Sequence, residues 1–425
     1  MPRPVVIVSF SYAPRLNPRA FRWTAIAERL VALGHPVAVV TSWLAEAPAS
    51  EVRNGVHVHR TGWKLIEGAR GGMGEANAAG SNQPASLLKS LARRLWRNLS
   101  WPDVTATWYF AAVKAAAPLL AGKRDAILVS VAPSFTAVAV GAALKRRFRD
   151  LPWIIDLGDP FSFLVETPPN NQLLYSWFNR RFERGAFRAA LAVSVTNRRT
   201  ADRYAAEFPE SASKICVIPP LLSAEVAPGA TKARGGAVRI VYLGTLYRGV
   251  REPDFLLSLF VTTLDTFRGA QLELHFYGDV GACGGAFEVF RERCRGRLFL
   301  HGVVPREQAL AATREADVLV NLGNETTFQL PSKVVEYAAA GKPVVNIASR
   351  REDSSIEFFQ SYPLALNIIS EGRAPDAAQI AAFHEFAARP AAPPDAAALE
   401  AFLRPYRIDE IAARYLGLID GASRP

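Results

Sequence analysis

Short runs of consecutive apolar residues, rich in Val and Ile, alternate along this chain with longer stretches whose apolar positions recur every three or four residues. The short runs predict strands buried on both faces, at residues 4–10, 37–42, 56–60, 126–131, 153–156, 191–194 and 215–218. The longer pattern predicts helices over 20–33, 134–147, 173–190 and 198–208. Pro219-Pro220 and the stretch 228–236 interrupt the rhythm and read as a linker. It restarts with strands at 238–242, 272–277, 298–300, 318–321 and 344–347, again separated by helical patterns. A second proline-rich break at 390–394 precedes terminal helices. Alternating β and α predicts an α/β protein with two doubly wound parallel sheets, and ligands at the carboxyl ends of the strands in the cleft between them. The domains expected are 1–219 and 237–389, with helices over 395–425.

The segment 126–144 carries 19 residues without a charge, long enough to span a bilayer on length alone. Pro133 divides it. Strand formers precede the proline and alanines follow it, so a buried strand, a tight loop with Ser134 as N-cap and a helix ending at Lys145-Arg146-Arg147 account for the segment better. Glycines crowd residues 62–84, which read as a long loop. The opening MPRPVVIVSF reads as a first strand rather than a signal peptide.

Composition adds three points. With 425 residues, half of them hydrophobic, the chain has material for two cores. Three cysteines are too few and too scattered for a disulfide framework or a four-ligand zinc site, which fits a reducing, cytoplasmic setting. The net charge of +11 is uneven: residues 1–220 hold 28 Lys and Arg against 15 Asp and Glu, and the remainder 22 against 24. A basic front half suits an anionic surface or ligand, and no nucleic-acid module accompanies it. The segment 85–99, ASLLKSLARRLWRNL, places leucines on one helical face and cations on another. It is the candidate for peripheral contact with an anionic membrane on the cytoplasmic side, competing with a helix packed on the first sheet.

The sharpest chemistry lies between 315 and 347. A strand ends near Asn321, a polar loop follows, and Pro331-Ser332-Lys333 opens a helix bearing Glu336. A helix start with a lysine favours a phosphate, and a carboxylate one turn further in can accept two hydroxyl hydrogen bonds from a ribose diol. An amphipathic helix with a solvated lysine and a surface glutamate is the plainer account, and spacing alone slightly favours it.

This run, PSKVVEYAAAGKPVV, resembles the donor-site signature of GT-B glycosyltransferases, specifically the family 4-like enzymes of bacterial polysaccharide biosynthesis. Four further stretches agree in order: SYAPRLNPRAFRWTAIAERLVALGHPVAVVT, WPDVTATWYFAAVKAA with ILVSVAPSFTAVAVGAALKRR, LPWIIDLGDPF, and VRIVYLGTLYRGVREPDFLL. The resemblance implies a GT-B fold with an acceptor-side first domain, a nucleotide-sugar-binding second domain, and terminal helices returning to the first. It implies transfer of a sugar from a nucleotide-diphosphate donor to a glycan or lipid-linked acceptor, with retention and without a metal or other cofactor. The donor diphosphate would meet Ser332, Lys333, Arg251, Gly244 and Thr245, and Glu336 would take the ribose. Asn324 and Gln329 stand for the donor-sugar loop, and Asn17 and Arg22 for the phosphate-side loop. Two positions depart from the family pattern: Phe328 where many relatives have a second glutamate, and Gly158 where an arginine is usual.

Asp156 and Asp159, at the end of a buried strand, are the catalytic candidates, able to orient or deprotonate an acceptor hydroxyl. As a pair they also suit Mg²⁺, although no metal is expected, and Asp159 before Pro160 suits a turn. Two other readings compete with the transferase: a nucleotide-sugar epimerase of the same fold, and a non-catalytic subunit that binds nucleotide sugar or glycan.

Overall fold

The computed structural model describes residues 2–62, 95–165, 168–222, 236–269, 271–324, 330, 333–388 and 394–421. They divide into two compact units, Met1–Ser223 with Tyr406–Pro425, and Ala224–Pro405.

The first unit holds strands β1 (Val5–Ser9), β2 (Val37–Ser42), β3 (Ser50–Arg53), β4 (Val56–Thr61), β5 (Ile127–Ala132), β6 (Trp153–Leu157), β7 (Ala192–Val195) and β8 (Ile215–Val217), in the order β3-β4-β2-β1-β5-β6-β7-β8. All pairings are parallel except β3 with β4. The hairpin between those two was missed in the pattern of strands, although its signal stands in the sequence. Asn54 and Gly55 turn with φ of 48° and 81°, the paired positive angles that favour Asn-Gly. Helices α1 (Pro18–Ala32), α2 (Tyr109–Leu120), α3 (Phe135–Arg147), α4 (Gln172–Ala189) and α5 (Arg198–Glu207) cover the sheet. Because residues alternate across a strand, Val5 and Ile7 join one apolar cluster, with Trp23 and Ile26 of α1, while Val6 and Val8 join another, with Phe135 and Phe187. Both faces are dry, hence the unbroken apolar runs.

The second unit has β9 (Val238–Leu243), β10 (Leu272–Tyr277), β11 (Leu298–Gly302), β12 (Val318–Leu322), β13 (Val344–Ala348) and β14 (Ala365–Ile369), all parallel, ordered β11-β10-β9-β12-β13-β14. Strand β14 was not anticipated. Its helices are α6 (Asp254–Thr266), α7 (Gly284–Arg291), α8 (Arg306–Glu315), α9 (Lys333–Ala339), α10 (Ser354–Gln360), α11 (Ala377–Ala388) and α12 (Ala396–Leu403). The chain then re-enters the first unit as α13 (Ile408–Gly421), which packs on α1 and contributes Ile411, Tyr415 and Ile419 to the core. The terminal segment thus divides: α12 packs on α9, α13 on α1.

The segment 126–144 is strand, loop and helix, and no described helix is long and apolar enough to cross a membrane. The expected Ser134 cap is not made. Asp103 caps α3 instead, accepting from the backbone N–H groups of Phe135 at 2.6 Å and Thr136 at 3.2 Å. A carboxylate at a helix N-terminus also meets the positive end of its dipole. Residues 85–94 lie outside the described residues. Residues 95–99 form a helical turn that exposes Leu95, Trp96 and Leu99.

Candidate functional site

In each sheet the strand order reverses at one place, between β1 and β5 and between β9 and β12, and open α/β sheets bind ligands beyond such points. Described residues among those singled out in the sequence follow strands at both places.

In the second unit, β9 ends at Leu243 and the chain turns through Gly244 at φ +141°. A side chain there would be strained, and its Cβ would stand 3.0 Å from Lys333 Nζ. Lys333, the first residue of α9, donates to the Leu243 carbonyl at 3.0 Å and lies 4.4 Å from the centre of the Tyr242 ring. Tyr337, one turn later, donates to the same carbonyl at 3.1 Å. Arg251 donates to the Thr245 carbonyl at 3.3 Å and to Asn324 Oδ1 at 2.6 Å, so residues following β9 and β12 are joined. Its Nε is buried with no hydrogen-bond partner among the described residues. Burial, then the charge of Arg251, push Lys333 well below the ordinary lysine value. Two cations enclosed together favour an anion that would relieve both. Glu336 is half-buried on the next face of α9, 3.7 Å from Arg306, and a cavity of about 120 Å³ opens between Arg306, Leu310, Lys333 and Glu336. Arg306, at the start of α8, was missed because nothing local distinguishes it from other surface arginines. Ser332 and Gln329 lie outside the described residues.

The first unit places two of the expected residues in its interior. Asp156 is 1% exposed. Its Oδ2 accepts from Arg19 Nη1 and Trp23 Nε1, both at 2.8 Å, and its Oδ1 from Ser194 at 2.8 Å and Tyr415 at 2.7 Å. Burial opposes its charge, but the guanidinium groups of Arg19 and Arg22 with these donors hold it below the ordinary aspartate value. Four donors leave no lone pair for a proton or a metal, so Asp156 is a keystone of the core rather than a base. Arg22 is buried too and donates to the carbonyls of Pro219 at 2.5 Å and Ile218 at 3.2 Å, and to Tyr415 Oη at 3.3 Å, while its Nε has no hydrogen-bond partner among the described residues. Asn17 caps α1, accepting from Ala20 N at 2.9 Å.

Asp159 is half-buried, three residues beyond Asp156. Its segment is held from behind by Glu183 of α4, which accepts from Ser162 N at 3.1 Å and from Tyr204 Oη at 2.5 Å. Burial pushes the Glu183 carboxyl up to about 7 despite these donors. Sequence reading missed Glu183 because its partners, Ser162 and Tyr204, lie about twenty residues away on either side of it in the chain. It also missed Arg19. A Cβ on Gly158 would fall 1.4 Å from Arg19 Nη2, so the guanidinium of Arg19 occupies the space above that glycine. The arginine absent from position 158 has a counterpart in space, supplied by α1. Among the described residues, no three His, Cys, Asp or Glu side chains stand together as a metal site.

Residues 20–220 match the glycosyl transferase 4-like domain. No curated protein sequence matches the chain. Solved structures resemble it over its whole length at low identity. One is the UDP-forming α,α-trehalose-phosphate synthase of Burkholderia xenovorans, at 14% identity and a TM-score of 0.64 over 100% of both chains. A second is an E. coli trehalose-6-phosphate structure bound with UDP-2-fluoro glucose, at 14% and 0.63 over 99% of both. A third is the catalytic domain of starch synthase IV from Arabidopsis thaliana, at 10% and 0.59 over 100% of both. These likenesses speak for the fold, two parallel-sheet units of GT-B type. The chain thus has the two-unit GT-B fold of these structures, and its residues 20–220 are similar to the glycosyl transferase 4-like domain.

Proposed function

We propose that this enzyme transfers a sugar from a nucleoside-diphosphate donor to a glycan or lipid-linked acceptor in the building of a bacterial surface polysaccharide, with retention and without a metal. The observation that carries the donor assignment is the enclosed pair Lys333 and Arg251 beside Gly244, with the unpartnered Arg251 Nε. A departing diphosphate carries growing negative charge, and fixed cations in a site shielded from water stabilise it without reorganising. Ser332 and Thr245 join them on the diphosphate, Glu336 takes the ribose hydroxyls, and Asn324 and Gln329 stand by the sugar. Asp159 serves the acceptor side, with Arg19 as the neighbouring cation.

Titration calorimetry with UDP and GDP tests the donor site. Lys333→Ala and Glu336→Ala should each lower affinity roughly ten- to a hundredfold, since losing a hydrogen bond to a charged group costs about 1.5–3 kcal/mol. Unchanged affinity in both folded variants would remove the assignment. Incubation with a panel of nucleotide sugars separates the readings. Transfer or donor hydrolysis that survives EDTA supports the proposal, conversion of the sugar alone would mark an epimerase, and binding without turnover a non-catalytic subunit.

A further inference from the structure

Helix α4 buries Asn179, Glu183, Ala186 and Phe187 against the first unit. Its outward face is unusual for a helix in contact with water. Over the first two turns it exposes Leu173 by 97%, Leu174 by 56%, Trp177 by 63% and Phe178 by 55%. From the next turn onward the outward positions are Arg180, Arg181, Arg184 and Arg188. Arg180 pairs with Glu207, and Arg184 and Arg188 with Glu210, so four cations meet two carboxylates and the face keeps a positive excess. Arg181 lies over the Trp177 ring at 5.6 Å, where the apolar and cationic halves meet. The apolar half continues past α4: Tyr175 Oη donates to the Leu99 carbonyl at 2.9 Å, and Leu99 is itself exposed. On its other side a groove of about 710 Å³ runs beside α4 and α3, lined by Trp101, Phe110 and Phe182 and by Arg181, Lys145 and Arg146.

We propose that the outward face of α4 and this groove seat the protein on an anionic lipid bilayer, Trp177, Phe178 and the two leucines entering the boundary between headgroups and acyl chains while the arginines meet lipid phosphates. A helix whose face passes from apolar to arginine-rich satisfies a bilayer interface, where both phases lie within a few ångströms. Guanidinium groups match phosphate geometry, and an indole suits the interface because one end is apolar and the other polar. The surface lies on the first unit and goes beyond the segment 85–99 that the sequence singled out.

Flotation of the full chain with phosphatidylglycerol or phosphatidylcholine vesicles tests it. The unmodified protein should float with phosphatidylglycerol, less with phosphatidylcholine, and less as salt rises. The exposed quadruple variant Leu173→Ser, Leu174→Ser, Trp177→Ser, Phe178→Ser should bind at least about tenfold more weakly with its thermal unfolding unchanged. Arg146→Gln with Arg181→Gln should also weaken binding about thirtyfold, since each of the two cations near an anionic leaflet contributes about 1 kcal/mol. Glutamine at Lys89, Arg93, Arg94 and Arg97 should leave most of the binding in place. The proposal is overturned if the unmodified protein fails to float with phosphatidylglycerol, or if the four-serine variant floats as well as it does. It is overturned equally if the glutamine variant loses binding while the serine variant keeps it, which would move the anchor to 85–99. Light scattering that shows the four serines abolishing a dimer, with no vesicle binding, would assign the face to a second copy of the chain.

Discussion

At the scale of single residues, the buried carboxylates divide by what surrounds them. Asp156 has two guanidinium groups near it and four donors on it, and stays charged. Glu183 has donors but no cation among the causes that shift it, and burial pushes it up to about 7. The difference gives a pH dependence with a definite sign. Between the ordinary glutamate value of 4.5 and about 7, folded protein holds a proton that unfolded chain has released. Stability from this group is therefore full below pH 4.5 and falls as pH rises to 7, by roughly 3 kcal/mol. Urea unfolding at pH 5 and pH 8 should show this loss in the unmodified protein and a shallower one in Glu183→Gln. Equal losses in both would mean that Glu183 is ionised in the folded state throughout. Because Glu183 holds the segment that carries Asp159, the same titration bears on the proposed acceptor side.

Among the elements, α3 shows how a local preference can be overruled by packing. Gly141 sits in its middle, where alanine would be favoured by about 1 kcal/mol on helix propensity alone. The helix presses on the sheet there: a Cβ at 141 would stand 2.2 Å from Ser130 Oγ and 2.6 Å from Trp153 Nε1, which are themselves hydrogen-bonded at 3.0 Å. Overpacking of this kind costs about 1–3 kcal/mol, so Gly141→Ala should be destabilised by chemical denaturation despite the better propensity. A more stable variant would show that α3 can lift off the sheet without penalty. The helix end is also set from afar, since Asp103 supplies the cap that the adjacent Ser134 does not. Its position 32 residues upstream conceals that role in any local window.

For the whole molecule, the consequential feature is the return of the chain from the second unit into the first. Helix α13 closes one face of the first sheet, with the Tyr415 ring 5.1 Å from that of Trp23 and its hydroxyl on Asp156. Ending the chain after residue 405 removes this cover and one of the four donors on a buried charge. The first unit should then lose its fixed near-UV circular dichroism and become protease-sensitive, while fragments of the second unit persist. Tyr415→Phe isolates the hydrogen bond and should cost about 1.5–3 kcal/mol with the fold retained. A truncated chain as protease-resistant as the full one would show that α13 merely decorates the surface.

The sequence by itself determined the α/β alternation and most strand positions. A strand buried on both faces must be apolar throughout, and a covering helix must repeat its apolar positions every three to four residues, and both patterns are local. It also determined the glycosyltransferase resemblance, because the residues around Gly244 and from 331 to 343 are contiguous in the chain. Tertiary structure alone decided which charged residues remain available to a ligand. Asp156 reads as a site residue from its place at a strand end and Arg22 from the resemblance, but Trp23, Ser194, Tyr415 and the carbonyls of Ile218 and Pro219 converge on them from segments far apart in the chain. Arg19 over Gly158, Glu183 behind Asp159 and Arg306 beside Glu336 are legible only in space, for the same reason. Hydrophobic periodicity is written along the chain, whereas the partner of a buried charge is chosen by whatever the fold brings within about 3 Å of it.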